Sequence, residues 1–390
     1  MLGGGRGSLL LKLKSLFLHK TEAAKPIASL PDELYIEIFI RFPAKSTFTC
    51  KCVSKTWFSI ISKPDFAKLH LNFQINNNSR FILSGYDSKI QASQIYIITK
   101  DSLFSTSIFY GEAVVIQHYR TTFADSVRLL GSCNGWVCLQ HYNFQATEFL
   151  CLWNPTTKEY KRIPDSPYLR SVQWPAYFCY DYKNDDYKLV YAGNTPSFTV
   201  YVYTLRSNSW NTLQTKLYSF DNFNGVLVNG ALHWITETPS IIVSFDISDE
   251  SFKEIQLPEE IIERASHMIL KVLEGCLCVV LAVSNKAWVV REYGVRESWT
   301  KIQDKIADDK DLKWSSRNGE CLIYSEGTDL VLYGPKHSSA RRMKLGNLEI
   351  RGVDNYVESL VSLNTGIYLG RKEVIGTRRR GIWGKTSIRH

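Results

Sequence analysis

The 390-residue sequence contains no run of eighteen apolar residues, so no membrane span is expected. It has no C-x-x-C pair either, although nine cysteines occur, at 50, 52, 133, 138, 151, 179, 276, 278 and 321. An odd count without paired spacing points away from a disulfide framework and toward buried thiols in a reducing compartment, cytoplasmic or nuclear. No histidine lies near either C-x-C pair, and no metal is expected. There is no Gly-x-Ser-x-Gly elbow and no His-Glu-x-x-His, and the glycines at 3, 4, 5 and 7 are not followed by the Gly-Lys-Ser/Thr of a phosphate loop. The eight histidines are scattered. Carboxylates Asp304, Asp308, Asp309 and Asp311 alternate with Lys305, Lys310 and Lys313, the pattern of a solvated loop. The expectation is therefore no catalytic residue and no cofactor.

The net charge of +9 is concentrated at the two ends. Residues 1–28 carry +4 and residues 371–390 carry +6, so the body between them is close to neutral. That distribution speaks against a basic groove on the folded part, and nucleic acid is not an expected partner. The terminal stretches, 1–28 and 364–390, read as a basic leader and a basic tail.

What the chain has in quantity is aromatic residues, 13% of the total, and a repeat. Two-residue turns and their equivalents recur at 134, 184, 229, 274 and 318, a period of 44 to 50 residues. Asn134-Gly135 and Asn229-Gly230 suit tight hairpins because both residues accept positive φ. Each hairpin is followed by a second pair of apolar runs, such as Phe149 to Trp153 with Tyr160 to Ile163. Four strands per period is one propeller blade, and a pair of β-sandwiches is the main rival. Five blades read clearly, and residues 80–125 supply a degenerate sixth. Val357 to Leu363 is expected to be the lone strand that pairs with the first blade and closes the ring. The fold class is thus mostly β: a small helical unit over 29–72, then a propeller-like domain of about six blades over 80–363.

The helical unit is read from Leu34, Ile38 and Phe42, with Tyr35 and Phe39 beside them, at the three-and-four spacing of one helix face. Pro31 suits its start, with Ser29 as a possible cap, and Pro43 stops it. Trp57, Ile60 and Ile61 line a third short helix and Phe66 anchors a fourth.

These residues carry a resemblance. Leu30-Pro31, Leu34, Ile38, Pro43, Lys45-Ser46, Cys52-Val53-Ser54-Lys55, Trp57, Ile61 and Phe66 resemble the F-box of plant proteins, with Thr47, Thr49 and Cys50 standing where Leu, Arg and Phe are commoner. The body resembles the F-box-associated, kelch-like domain through Gly131-Ser132-Cys133-Asn134-Gly135, Trp153-Asn154-Pro155-Thr156-Thr157, Tyr180-Asp181, Asn229-Gly230-Ala231-Leu232-His233-Trp234 and Ser298-Trp299. The resemblance implies a non-catalytic receptor. Its F-box would dock a Skp-type adaptor through Leu30, Pro31, Leu34, Ile38, Pro43, Val53 and Trp57, and through it cullin and RING subunits. The propeller would hold a protein substrate for ubiquitination and degradation. An enzyme with a central-channel site, or a non-degradative or nucleic-acid-binding scaffold, are the alternatives.

The links between blades are longer and more varied than the turns, which is where binding residues on a rigid scaffold usually sit. Tyr168, Arg170 and Trp174 in the first link, and Tyr218, Phe220 and Phe223 in the second, are the expected substrate contacts. His233 and the recurrent tryptophans read as packing residues.

Overall fold

The computed structural model describes residues 30–77, 80–89, 91–99, 112–113, 126–142, 148–166, 176–194, 198–215, 218, 220, 225–236, 241–262, 268–273, 275–281, 286–302, 311–315, 321–324, 330–334, 337–343 and 348–363. Four helices come first: α1 (Asp32–Phe39), α2 (Ala44–Cys50), α3 (Lys55–Ile61) and α4 (Pro64–Asn77). Pro31 and Pro43 stand just before α1 and α2, where a missing N–H costs nothing, and neither helix has a side-chain cap. Ser29 lies outside the described residues. The third helix, α3, is capped by a side chain, Ser54 Oγ accepting from the Trp57 amide at 3.1 Å. The fourth helix runs to Asn77, five residues past the expected end of the unit.

The strands form six four-stranded antiparallel sheets, built one after another along the chain. The first holds β1 (Arg80–Asp87), β2 (Ala92–Thr99) and β3 (Glu112–Ala113). The second holds β4 (Ser126–Cys133), β5 (Trp136–Tyr142), β6 (Glu148–Trp153) and β7 (Tyr160–Ile163), and the third β8 (Ala176–Asp181), β9 (Asp186–Asn194), β10 (Phe198–Thr204) and β11 (Ser209–Thr215). The fourth holds β12 (Val226–Val228), β13 (Ala231–Ile235), β14 (Ile241–Asp246) and β15 (Ser251–Gln256). A short helix, α5 (Glu259–Ile262), occupies part of the next link. The fifth sheet holds β16 (Met268–Leu273), β17 (Cys276–Leu281), β18 (Lys286–Val290) and β19 (Trp299–Ile302), and the sixth β20 (Asp311–Ser315), β21 (Cys321–Tyr324), β22 (Leu330–Gly334) and β23 (His337–Met343).

The last strand, β24 (Leu348–Tyr356), returns to the first sheet and pairs with β1, Arg80 opposite Tyr356 and Asp87 opposite Leu348. Closure therefore uses residues 348–356. The expected closing strand, 357–363, is not a strand: it follows β24 as an extended segment with Ser359, Leu360 and Val361 buried in succession. Three consecutive buried residues break the alternation a half-buried strand requires. Innermost strands of neighbouring blades pack on one another, β4 between β24 and β8, β16 between β12 and β20, and β20 against β24. Pairing β24 with β1 leaves no open seam between the first and last sheets, which removes two edges.

The Asn-Gly hairpins form as their composition dictates, Asn134 and Gly135 at φ 52° and 84°, Asn229 and Gly230 at 53° and 75°. Apolar clusters fill the spaces between blades; one joins Val200, Phe220, Leu232, Trp234 and Phe245 across blades three and four. The largest cluster has a different extent. It runs from Phe39, Trp57, Ile60 and Leu71 of the helices into Trp136, Tyr180, Tyr187 and Leu205 at the hairpin ends of blades two and three, and includes Leu360 and Val361. The helical unit thus shares one core with the propeller.

Candidate functional site

The helices divide their apolar residues between that core and the outside. On α1, Phe39 is buried while Leu34 and Ile38, one turn apart, are 48% and 42% exposed. Leu30 is 39% exposed, and Pro31 and Pro43 are exposed. Val53 is half-buried against the core. Trp57 lies inside it, with its ring edge-on to Phe39 at 4.8 Å and tilted on Tyr35 at 6.0 Å. Of the seven expected adaptor residues, five are exposed and Trp57 holds the helices together. Two exposed aromatics escaped sequence reading, Phe48 on α2 and Phe58 on α3. Their signal was helical phase: Phe58 follows the inward Trp57 and so must point away from it.

The motif departures sort the same way. Thr47 and Cys50 are buried, leaving Thr49 alone at the surface. Thr47 belongs to a buried polar knot that receives the carbonyls where α1 ends. Its hydroxyl donates to Phe39 O at 3.1 Å, His70 Nε2 lies 2.9 Å from Phe42 O, and Gln74 Nε2 donates to Ile40 O and Phe42 O at 3.1 and 3.0 Å. These donors satisfy carbonyls that a helix end leaves without partners. Burial lowers the His70 pKa, against the opposing hydrogen bond with the Phe42 carbonyl.

The hairpin ends of the ring are knit together by charge. Lys188, 4% exposed, places its ammonium 3.3 Å from Asp181 Oδ2, 3.0 Å from Glu250 Oε1 and 2.6 Å from Ile247 O, linking blade three to blade four. Burial pushes the Asp181 carboxyl up, but Ser248, Asn184 and Lys188 outweigh it and hold it below its ordinary value. Lys183 pairs with Asp249 across the same seam. His233 is fully buried, bonded to Val226 O at 3.2 Å through Nδ1 and to the Tyr293 hydroxyl through Nε2, and burial drops its pKa to about 4. It is a packing and tethering residue between blades four and five.

At the opposite, link ends, Tyr168, Arg170, Trp174 and Phe223 lie outside the described residues. Tyr218 is half-buried and its hydroxyl donates to Glu254 Oε1 at 3.0 Å. Phe220 is buried, 4.1 Å from the Phe198 ring, and fills the gap between blades instead of offering itself to a partner. Sequence reading missed a stack on blade two: His141 lies flat on Phe149 at 4.6 Å, and the exposed Arg162 guanidinium sits 5.1 Å above that ring. Exposed Tyr142 flanks it.

Among the described residues no group of histidine, cysteine or acidic side chains is placed to hold a metal ion. Burial pushes the Cys151, Cys179 and Cys278 thiols up to about 12, which keeps them protonated and poorly nucleophilic.

Two family models match. One, described as the F-box associated beta propeller domain, covers residues 91–364, and the other, the F-box domain, covers residues 27–69. The chain belongs to the F-box-associated β-propeller family. The F-box protein CPR1 of Arabidopsis thaliana is 28% identical over 348 residues, spanning 78% of this chain and 79% of that one. The F-box/kelch-repeat protein At3g23880 of the same plant is 29% identical over 294 residues, 70% of this chain and 79% of its own. F-box proteins of this kind are in general non-catalytic adaptors, and an F-box followed by a propeller fits substrate recognition.

Within this F-box protein the two parts meet at blade two. Lys51, which follows the last residue of α2, is held below the ordinary lysine range by burial, against the pull of Glu159 in the β6–β7 turn. Lys158 of that turn is lowered by burial and then by Lys45 of α2. Among the described residues the F-box therefore packs on the hairpin ends of blades two and three.

Proposed function

We propose that this chain is the substrate receptor of an SCF-type ubiquitin ligase, its F-box docking a Skp-type adaptor and, through it, cullin and RING subunits. The observation that carries this reading is the row of exposed apolar residues Leu30, Pro31, Leu34 and Ile38 on helices whose own core is already filled by Phe39, Trp57 and Ile60. Contiguous apolar surface of that kind is costly in water and marks a partner's footprint. Phe48 and Phe58 extend the exposed apolar set.

Catalysis in such an assembly is by proximity. The propeller holds a protein substrate, to be ubiquitinated and degraded in the cytoplasm, the nucleus or both. The receptor's contribution is the raised effective concentration of a substrate lysine near the charged enzyme. The link face is the proposed recognition surface, because the F-box shares its core with the hairpin ends.

The test is adaptor capture by the full chain. Leu30→Ala with Pro31→Ala removes exposed groups only, so melting temperature should be unchanged while adaptor affinity falls by ~2 kcal/mol, the usual loss for a truncated anchor. Undiminished co-purification with adaptor would remove the docking proposal.

A further inference from the structure

We propose that residues 357–363 form a strap, seated in a purpose-built site on blade two, that fixes the F-box to the propeller. The segment leaves β24 directly after Tyr356 and crosses the hairpin end of blade two with Ser359, Leu360 and Val361 buried. Its backbone is held by side chains, not by a sheet. Asn154 Nδ2 donates to Ser359 O at 3.1 Å and lies 3.3 Å from Val361 O, and Trp136 Nε1 donates to Val361 O at 3.1 Å. The Ser359 hydroxyl accepts from the Val361 amide at 3.0 Å, which curls the segment locally.

Two sequence motifs that neither docking nor recognition explains are the walls of this site. In Trp153-Asn154-Pro155-Thr156-Thr157, Asn154 Oδ1 accepts from the Thr156 amide at 2.9 Å, which orients the side chain so that its amide faces the strap. In Cys133-Asn134-Gly135, Gly135 has φ 84°, and a Cβ there would run into the Ser359 side chain and stand 2.9 Å from its backbone nitrogen. Glycine is required twice over, for conformation and for room.

The strap also touches both ends of the F-box connection. Glu358 pairs with Arg80 at 2.9 Å, both largely buried, and Arg80 is the first residue of β1, three residues after α4 ends. Leu360 and Val361 belong to the same apolar cluster as Phe39, Trp57 and Leu71 of the F-box, with Val357 and Leu363 packed against it. The turn that holds the strap through Asn154 is also the turn whose Lys158 and Glu159 feel Lys45 of α2 and Lys51 directly after it. Domains joined by small polar contacts move relative to one another by default. Here an apolar strap that shares the F-box core, its Glu358 anchored to Arg80 of β1, removes that freedom, and the adaptor side and the link face keep a fixed separation.

Hydrogen exchange on the full chain tests this without any adaptor, so it stands apart from the docking proposal. In Asn154→Ala, and separately in Val361→Asp, amides of residues 30–77 should exchange about tenfold faster or more, as when buried hydrogen bonds are lost locally. Amides of β13 and β17 in blades four and five should keep their protection. The milder Glu358→Ala should give the same pattern at smaller amplitude, which secures the test against a variant that fails to fold. Unchanged protection of 30–77 in all three, or equal loss in the helices and in blades four and five, overturns the strap.

Discussion

The two ends of the propeller are built on opposite principles. At the hairpin end, turns of two to four residues lock their geometry with positive φ, as at Asn134-Gly135 and Asn229-Gly230, and the buried Lys188 ammonium reaches from blade three to Glu250 and Ile247 O of blade four. At the link end, connections run to a dozen residues and the described contacts are ring packing, as of Phe220 on Phe198 and His141 on Phe149, with hydrogen bonds between partly exposed groups such as Tyr218 and Glu254. The F-box shares the core of the first end. The difference teaches where each task can be placed: a surface that must hold another domain steady needs fixed geometry, whereas a surface that selects substrates needs loops that can vary without loss of fold.

If that contrast is right, damage at the hairpin end should cost stability. The largest effect is expected for Lys188→Ala, which strands Asp181 in the interior without its cation; removal of one partner from a buried pair typically costs ~3–5 kcal/mol. Urea unfolding measures it, and a loss below ~1 kcal/mol would mean the seam between blades three and four is not held by charge. Acid should act at both ends together. His141 on the link side and His233 on the hairpin side are both pushed down to about 4 by burial, from 6.5 when unfolded. The unfolded chain then binds more protons below pH 6.5, so stability falls as pH drops toward 4, by about 2 kcal/mol per histidine between pH 7 and 5. His233→Asn should flatten that slope, read from urea melts at the two pH values.

A smaller effect is expected for Gly230→Ala. Nothing stands within 4 Å of the added Cβ, so the cost is the left-handed backbone alone, about 1 kcal/mol in thermal unfolding. The smallest belongs to the link end: Tyr218→Phe removes a bond to an exposed carboxylate and should change stability by less than ~0.5 kcal/mol.

Local chemistry made most of the architecture legible. Asn-Gly turns and four apolar runs per period are properties of neighbouring residues, and the strands formed where those signals stood. The closing strand was displaced because the partners of 357–363, Trp136 and Asn154, lie more than two hundred residues away and leave no local trace. That distance hid the strap, and separations of 59 and 62 residues hid the Lys188 seam. At the candidate sites, burial was not legible from residue type. Trp57 and Phe220 look like anchors by composition and prove to be core, a distinction that only packing makes.

The division of labour between the two ends is tested most directly by substrate capture under proteasome inhibition, comparing Arg170→Ala with Trp174→Ala on the link side against Val295→Asp, an exposed residue of the β18–β19 turn on the hairpin side. The account predicts that the double variant loses its substrates while adaptor binding and melting temperature persist, and that the hairpin variant captures them as the unaltered chain does. Normal capture by the double variant together with loss in Val295→Asp would contradict it and place recognition at the hairpin end.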